Sequence, residues 1–170
     1  MNQEDTIRLR AMEPEDLDML YTIENDQQLW NVGSTNVPYS RYVLHDYIAN
    51  SSGDIYTDRE VRLIIENRVG ETVGMADIIK FDAKNCHAEV GIVIAREHRM
   101  KGYGLSALQS IADYARLTLH LRQLYAIIDA ANEASVRLFR NAGFQQSATL
   151  QDWLYDGKKY RCAVLMQIFL

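Results

Sequence analysis

Apolar and polar positions along the chain change period several times, and the order of those changes predicts a mixed α/β domain. Ile7 to Met12 alternates as a short strand does. Pro14 follows where a helix first turn tolerates it, and Glu13, Glu15 and Asp16 suit the positive helix end. Leu17, Leu20, Tyr21 and Glu24 continue that helix. A loop rich in Asn, Gly, Ser and Thr, residues 31–40, precedes a second helix from Tyr42 to Asn50. From Val61 the period becomes that of strands: Val61 to Glu66, a turn at Arg68-Val69-Gly70-Glu71, then Thr72 to Phe81. Glu89 to Ile94 is a nearly unbroken apolar run, the signature of a central strand buried on both faces. Gly102 to His120 reads as the strongest helix, with Leu105, Leu108, Ala112, Ala115 and Leu119 on one face. Gln123 to Ala130 is another buried strand, and Asn132 caps a helix that stops at Gly143. Phe144 to Tyr155, an Asp156-Gly157 turn and Tyr160 to Phe169 form a second hairpin. The predicted order is β-α-α-β-β-β-α-β-α-β-β.

Composition narrows the class. A chain of 170 residues suits one domain, taken here as 1–170. Its 18 Lys+Arg against 23 Asp+Glu give a net charge of −5, which disfavours a nucleic-acid scaffold and suits a cationic substrate. No apolar run approaches the ~18 residues a membrane span needs, and the polar, acidic start is no signal peptide. Cys86 and Cys162 lie outside any CxxC or Cys/His ligand spacing. They read as free thiols in a reducing cytoplasm, with neither a disulfide nor a metal site expected.

The chemistry is concentrated between Ile92 and Ala107. A strand runs into Ala95-Arg96-Glu97-His98, then Arg99-Met100-Lys101-Gly102-Tyr103-Gly104, then the long helix. Two glycines let backbone approach a ligand, and a helix start offers unpaired N–H groups and partial positive charge, which together suit phosphate. Arg96, Arg99 and Lys101 add cationic charge. Gly102-x-Gly104-x-x-Ala107 also satisfies the dinucleotide fingerprint, with Asp129 where a ribose-binding acid would sit. That reading fails on geometry, because its first glycine should follow the strand directly. Here Ala95 to Lys101 intervene. A Walker loop is excluded, since no Gly-Lys-Ser/Thr follows at the required spacing.

Arg99-x-x-Gly102-x-Gly104 after a buried strand resembles the acetyl-CoA pyrophosphate loop of the GNAT N-acetyltransferase superfamily. Asn132-Glu133-Ala134-Ser135-Val136-Arg137-Leu138-Phe139-Arg140-Asn141-Ala142-Gly143-Phe144 is similar to that superfamily's Asn-x-x-Ser/Ala…Leu-Tyr-x-x-x-Gly-Phe segment. The tail Asp156-Gly157-Lys158-Lys159-Tyr160 looks like the closing hairpin of the ribosomal-protein alanine and spermidine/diamine branch. The element order matches over essentially the whole chain. The resemblance implies a single GNAT-type domain with a mostly antiparallel, splayed, seven-stranded sheet and about four helices. It implies an acyltransferase moving acetyl from acetyl-CoA directly to a primary amine of a polyamine-like small molecule or a protein N-terminus. A catalytically silent acyl-CoA-binding or sensing module is the alternative, and a homo-oligomer is compatible with either.

The resemblance also assigns positions. Amides of Arg99, Met100, Lys101, Gly102, Tyr103 and Gly104 would cradle the pyrophosphate. The backbone of Ile92, Val93 and Ile94 would pair with the pantetheine arm, and Asn132 would contact that arm or simply cap its helix. The strands at 87–94 and 123–129 would splay to admit the thioester. Glu89 is the candidate base for the ammonium, with a strand-end ion pair to Arg or Lys as its plainer reading. His87, two residues earlier on the same face, could share the task. Many members place a proton-donating tyrosine where this chain has Phe139, which cannot donate. Ser135, one turn earlier, is then the candidate donor to the thiolate, with water as the other source. Spermidine enzymes carry an acidic loop after the first helix. The corresponding Gly33-Ser34-Thr35-Asn36-Val37-Pro38-Tyr39 has no carboxylate, although Glu24, Asp26 and Asp46 lie near in sequence. Trp30 and Tyr39 could shape an acceptor groove or only pack.

Overall fold

A computed structural model describes residues 7–27 and 37–170, so Trp30 and most of the expected acceptor loop fall outside the described residues. The strands are β1 (Ile7–Ala11), β2 (Val61–Asn67), β3 (Thr72–Asp82), β4 (His87–Ile94), β5 (Gln123–Asp129), β6 (Gln145–Tyr155) and β7 (Tyr160–Phe169). The α-helices are α1 (Leu17–Glu24), α2 (Arg41–Asn50), α3 (Ile55–Asp58), α4 (Tyr103–Leu117) and α5 (Glu133–Asn141). Short 3-10 turns at Pro14–Asp16 and Arg96–His98 lead into α1 and out of β4. The single turn α3 escaped the sequence reading because it has too few residues to show a period. It is set by Asp54, whose carboxylate accepts the Tyr56 amide at 3.1 Å.

The seven strands form one sheet in the order β1-β2-β3-β4-β5-β7-β6, antiparallel throughout except for the β4–β5 pair. That is the expected mixed, mostly antiparallel architecture. Hairpin turns follow local chemistry: the Asn67 carboxamide accepts the Val69 and Glu71 amides, and Gly70 adopts φ +79°. Asp156 does the same for Lys158 and Lys159 beside Gly157.

One face of the sheet carries α4 and α5 over a core that includes Ile78, Val90, Leu108, Ile111, Leu124, Phe139 and Phe144. The buried stripe of α4 is Ala107, Leu108, Ile111 and Ala115. It is rotated from the expected one, so Leu105 and Ala112 sit on the flank. The other face carries α1 and α2 over Leu20, Ile23, Leu44, Ile64 and Met75. Ion pairs fix these helices. Arg62 binds Asp77 with two bonds (2.7 and 2.8 Å) and also reaches Glu24 of α1. Arg10 of β1 grips Asp16 at the α1 start at 2.7 and 2.8 Å.

The sheet splays where the site was expected. The β4–β5 register consists of His87↔Gln123, Ala88↔Leu124 and Glu89↔Tyr125, and stops there. β4 continues to Ile94 paired only with β3, as Val90↔Ile78, Ile92↔Ala76 and Ile94↔Gly74. Meanwhile β5 continues against β7. The expectation of a strand buried on both faces is not met: burial is complete only on one face and only at Ala88 and Val90, while His87, Glu89 and Gly91 on the other face are half-buried. Ala88 and Val90 are buried, whereas Ile92, Val93 and Ile94 are half-exposed because β5 has moved away from them.

Candidate active site

The floor of the site is the second half of β4. Glu89, Gly91 and Val93 share the face toward α1 and α2, since Ala88 and Val90 point into the opposite core. Among the described residues, a Cβ built on Gly91 would meet nothing within 4 Å, so they leave the strand face between Glu89 and Val93 open. Gly74 holds this half against β3: a Cβ there would stand 2.2 Å from the Val93 carbonyl oxygen. Beyond Glu89, backbone groups on the β5 side have no strand to bind among the described residues, the condition a ligand strand requires.

At Ile94 the chain turns through Arg96–His98 into the glycine loop. Met100 and Gly102 both adopt positive φ (61° and 85°), and Met100 projects fully into solvent. Gly102 is the N-cap of α4, and the first helical bond runs from the Ser106 amide to the Gly102 carbonyl. The amides of Tyr103, Gly104 and Leu105 are then the orphan donors of a 15-residue helix. The two glycines do different work. Gly102 supplies the left-handed turn, while a Cβ on Gly104 would come within 3.1 Å of the Leu138 side chain and 3.7 Å of Ile94. Gly104 therefore allows α5, α4 and β4 to meet, rather than only making room for phosphate. Arg99 turns back, its Nε donating to the Ile94 carbonyl at 3.0 Å, which ties the loop to the strand. Arg96 pairs with Asp26 at 3.8 Å, and Lys101 is exposed.

Glu89 sits on the last rung before the strands part, facing Tyr125. Its Oε2 accepts from Lys80 Nζ at 2.6 Å, so the ion pair foreseen as its plainer reading is present. Tyr125, raised above its ordinary value by burial and then by the Glu89 charge, keeps its proton well into alkaline solution. His87 lies edge-on to Tyr125, with ring centroids 5.8 Å apart and its Nε2 3.8 Å from Asp82. Its buried Nδ1 has no hydrogen-bond partner among the described residues. Lys80 and Tyr125 went unnoticed in the sequence. The one available signal was Lys80 breaking the apolar run that ends at Phe81.

On α5, Asn132 is the N-cap, its side-chain oxygen accepting the Ser135 amide at 3.1 Å. Ser135 is half-buried in the first turn, and its hydroxyl has no partner among the described residues. Phe139 is buried and stacks edge-on against Phe144 at 5.0 Å, filling core where a tyrosine hydroxyl would need a partner. Asp129, the acid of the dinucleotide reading, is committed to Arg161 at 2.9 Å and to the Ala131 amide.

A cavity of about 620 Å³ opens at the end of β4 on the α1 side. Met19 and Ile23 of α1, together with Val93 and Ile94, give it an apolar wall, and its rim is of mixed charge, with Asp18, Asp26, Glu71 and Glu97 beside Arg96, His98 and Arg99. Of the carboxylates singled out near the acceptor loop, only Asp26 lines it. Glu24 belongs to the Arg62 cluster, and Asp46 accepts from Asn50. The Asn25 carboxamide holds the Tyr39 backbone, donating to its carbonyl and accepting from its amide. Among the described residues no cluster of His, Cys, Asp and Glu could hold a metal ion, and no helix is long and apolar enough to cross a membrane.

Comparison with known proteins converges on this geometry. A family model described as an acetyltransferase (GNAT) domain matches residues 6–145. The chain is 27% identical over 164 residues to the spermidine N(1)-acetyltransferase of Escherichia coli (strain K12), spanning 96% of this chain and 86% of that protein. It is 25% identical over 162 residues to the Vibrio cholerae (serotype O1) spermidine N(1)-acetyltransferase, spanning 95% and 92%. The crystal structure of spermidine N-acetyltransferase from Vibrio cholerae in complex with CoA and spermine has the same fold. Its TM-score is 0.85 at 24% identity, over 96% of this chain and 95% of that one. With the splayed strands, the glycine loop and the family match in agreement, the chain belongs to the GNAT acetyltransferases, acyltransferases that use acetyl-CoA.

Proposed function

We propose that this N-acetyltransferase acts as one domain, residues 1–170, on a small polyamine-like cation in the cytoplasm. The observation that carries the reading is the placement of Glu89. It stands at the last β4–β5 rung, where, among the described residues, an open strand edge leads to the glycine loop and the strand face leads past Gly91 to a cavity of mixed charge. The names of the relatives support a polyamine acceptor. The expected loop over 33–39 carries no carboxylate; the carboxylates lining the cavity are Asp18, Asp26, Glu71 and Glu97. The first three face Arg41, Arg96 and His98, so an acceptor cation would have to compete with those partners. Free Cys86 and Cys162 fit a reducing compartment.

In this reading the free edge of Ile92, Val93 and Ile94 seats the pantetheine arm. The amides of the Arg99–Gly104 loop bind pyrophosphate, with Arg99 shaping the loop through the Ile94 carbonyl. Asn132 fixes the start of α5 beside them. Glu89 takes a proton from the acceptor ammonium, directly or through one water. The freed electron pair forms the N–C bond and the C–S bond breaks. The nitrogen sheds its second proton to water, and the thiolate takes one from water or from Ser135, whose hydroxyl is then reprotonated by water. No metal has a part in these steps. The test is thiol release from acetyl-CoA with spermidine, a diamine and a peptide with a free N-terminus. Acceptor-dependent release with spermidine or the diamine supports the reading. Release only with the peptide would move the acceptor to protein N-termini, and tight CoA binding without release would leave a silent binding module.

A further inference from the structure

The carboxylate assigned as the base is already occupied by a primary ammonium. Period-two alternation along β3 buries Ala76 and Ile78 and would send Lys80 into the same core. A bulge prevents this. The register passes from Ile79↔Glu89 to Asp82↔His87, so that Lys80 and Phe81 together oppose Ala88. Lys80 takes φ +52°, a left-handed backbone that side-chain-bearing residues seldom adopt, and Phe81 takes the core position instead. The displaced ammonium lands 2.6 Å from Glu89 Oε2.

The two partners are unequally held. The Glu89 side chain is 15% exposed on a central strand, whereas that of Lys80 is 61% exposed at the end of a flexible chain. Letting go of such a partner is cheap for the protein, because an ion pair with one end in solvent contributes little. Around Glu89 stand the Tyr125 hydroxyl and, beyond it, His87 with Asp82. Lys80 is the one lysine or arginine paired with it among the described residues. The hydrogen bond to Glu89 raises Lys80 above its ordinary value, only partly offset by burial. A raised lysine stays charged through the neutral range and gives up the pair only as pH climbs through its folded value.

Resting on the reading of Glu89 as base, we propose that Lys80 is the resident counter-ion of Glu89. It is a built-in stand-in for the acceptor's ammonium, which a cationic acceptor displaces and which returns once the product nitrogen is a neutral amide. An acceptor amine has the charge and chemistry of Lys80 and must reach the same carboxylate to surrender its proton. After transfer the amide can no longer compete. The returning ammonium favours the charged form of Glu89, driving the captured proton to water and restoring the base. Lys80 thereby sets the affinity for cationic acceptors and not for neutral ones.

The test uses the full chain with spermidine as the cationic acceptor and aniline, uncharged at neutral pH, as the neutral one. Lys80→Met and Lys80→Gly both remove the charge, and glycine also suits the left-handed backbone, so a folding defect in one is checked by the other. Both should lower KM for spermidine about 3- to 10-fold while leaving KM for aniline and CoA affinity unchanged. Lys80→Arg, which keeps a cation at the seat, should show no such fall. A spermidine KM that is unchanged or raised in both variants, or that moves equally for aniline, overturns the proposal. Glu89→Gln, run alongside, separates the two ideas. If it keeps full rate, the base reading fails and takes this proposal with it. If it is slow while Lys80→Met leaves KM untouched, the base stands and only the counter-ion role falls. Absence of spermidine turnover in the unaltered protein sinks the acceptor reading and this proposal together.

Discussion

The two halves of β4 belong to one strand and live in different surroundings. From His87 to Glu89 the strand is paired on both sides, with β3 and with β5. From Val90 to Ile94 it keeps β3 and loses β5. Ala88 is fully buried, while Ile92 and Ile94, on the same side of the strand, stay half-exposed. Function here follows from a pairing that stops. Backbone that β5 abandons needs another partner, and the glycine loop at the end of the strand offers charge and amides to hold one. Glu89 marks the boundary, on the last closed rung and the first position from which the open half is reached.

The sharpest way to break the comparison is at that boundary. Glu89→Gln keeps the shape of the rung and should lower the rate about 10²–10⁴-fold, with the acidic limb of the pH–rate profile weakened. A normal rate across the pH range would reduce Glu89 to the ion-pair partner of Lys80. Next comes the anchor of the open half. Gly74→Val drives a side chain into the Val93 carbonyl, which stands 2.2 Å from where its Cβ would be. It should cost about 3 kcal/mol in urea unfolding and weaken CoA binding with it. Gly91→Ala, on β4 itself and with nothing within 4 Å of its Cβ among the described residues, should leave stability within about 0.5 kcal/mol. Equal losses in the two variants would mean that Gly74 is not the close contact that holds the open half of β4.

Smaller effects sharpen the picture. Gly102→Ala forces a Cβ into φ +85° and should cost about 1 kcal/mol, with a measurable loss of CoA affinity by calorimetry. Asp16 serves as the control, since it anchors α1 and touches neither half of β4. Burial pushes its carboxyl up, but bonds from Arg10 and the Glu13 amide outweigh that and hold it below the usual value. A depressed carboxylate contributes stability above its unfolded value and loses it as pH falls through the folded one. Asp16→Asn should therefore cost about 1–2 kcal/mol at neutral pH, and the deficit should close in acid, read by urea unfolding at both ends.

Much of this was legible in the sequence, for physical reasons. Strands and helices were readable wherever period and capping agreed, as in the hairpin turned by Asp156-Gly157 and the helix capped by Asn132. The glycine loop was readable because left-handed backbone and a helix start leave local marks. What stayed hidden depends on distant pairing. The apolar run Val90–Ile94 looks like any buried strand, and only the divergence of β5 makes it half-open. The Lys80–Glu89 pair needs a bulge that no local signal fixes, and Tyr125 becomes its neighbour only through register. The separate duties of Gly102 and Gly104 were equally invisible, since Leu138 reaches Gly104 from another helix.

Amide hydrogen exchange with and without coenzyme A tests the central claim most directly, because it reads each half of β4 separately. The account predicts that coenzyme A slows exchange in 90–94 and 99–105 and leaves 87–89, already paired on both sides, as slow as before. Protection that appears elsewhere, or that falls equally on both halves of β4, would contradict it.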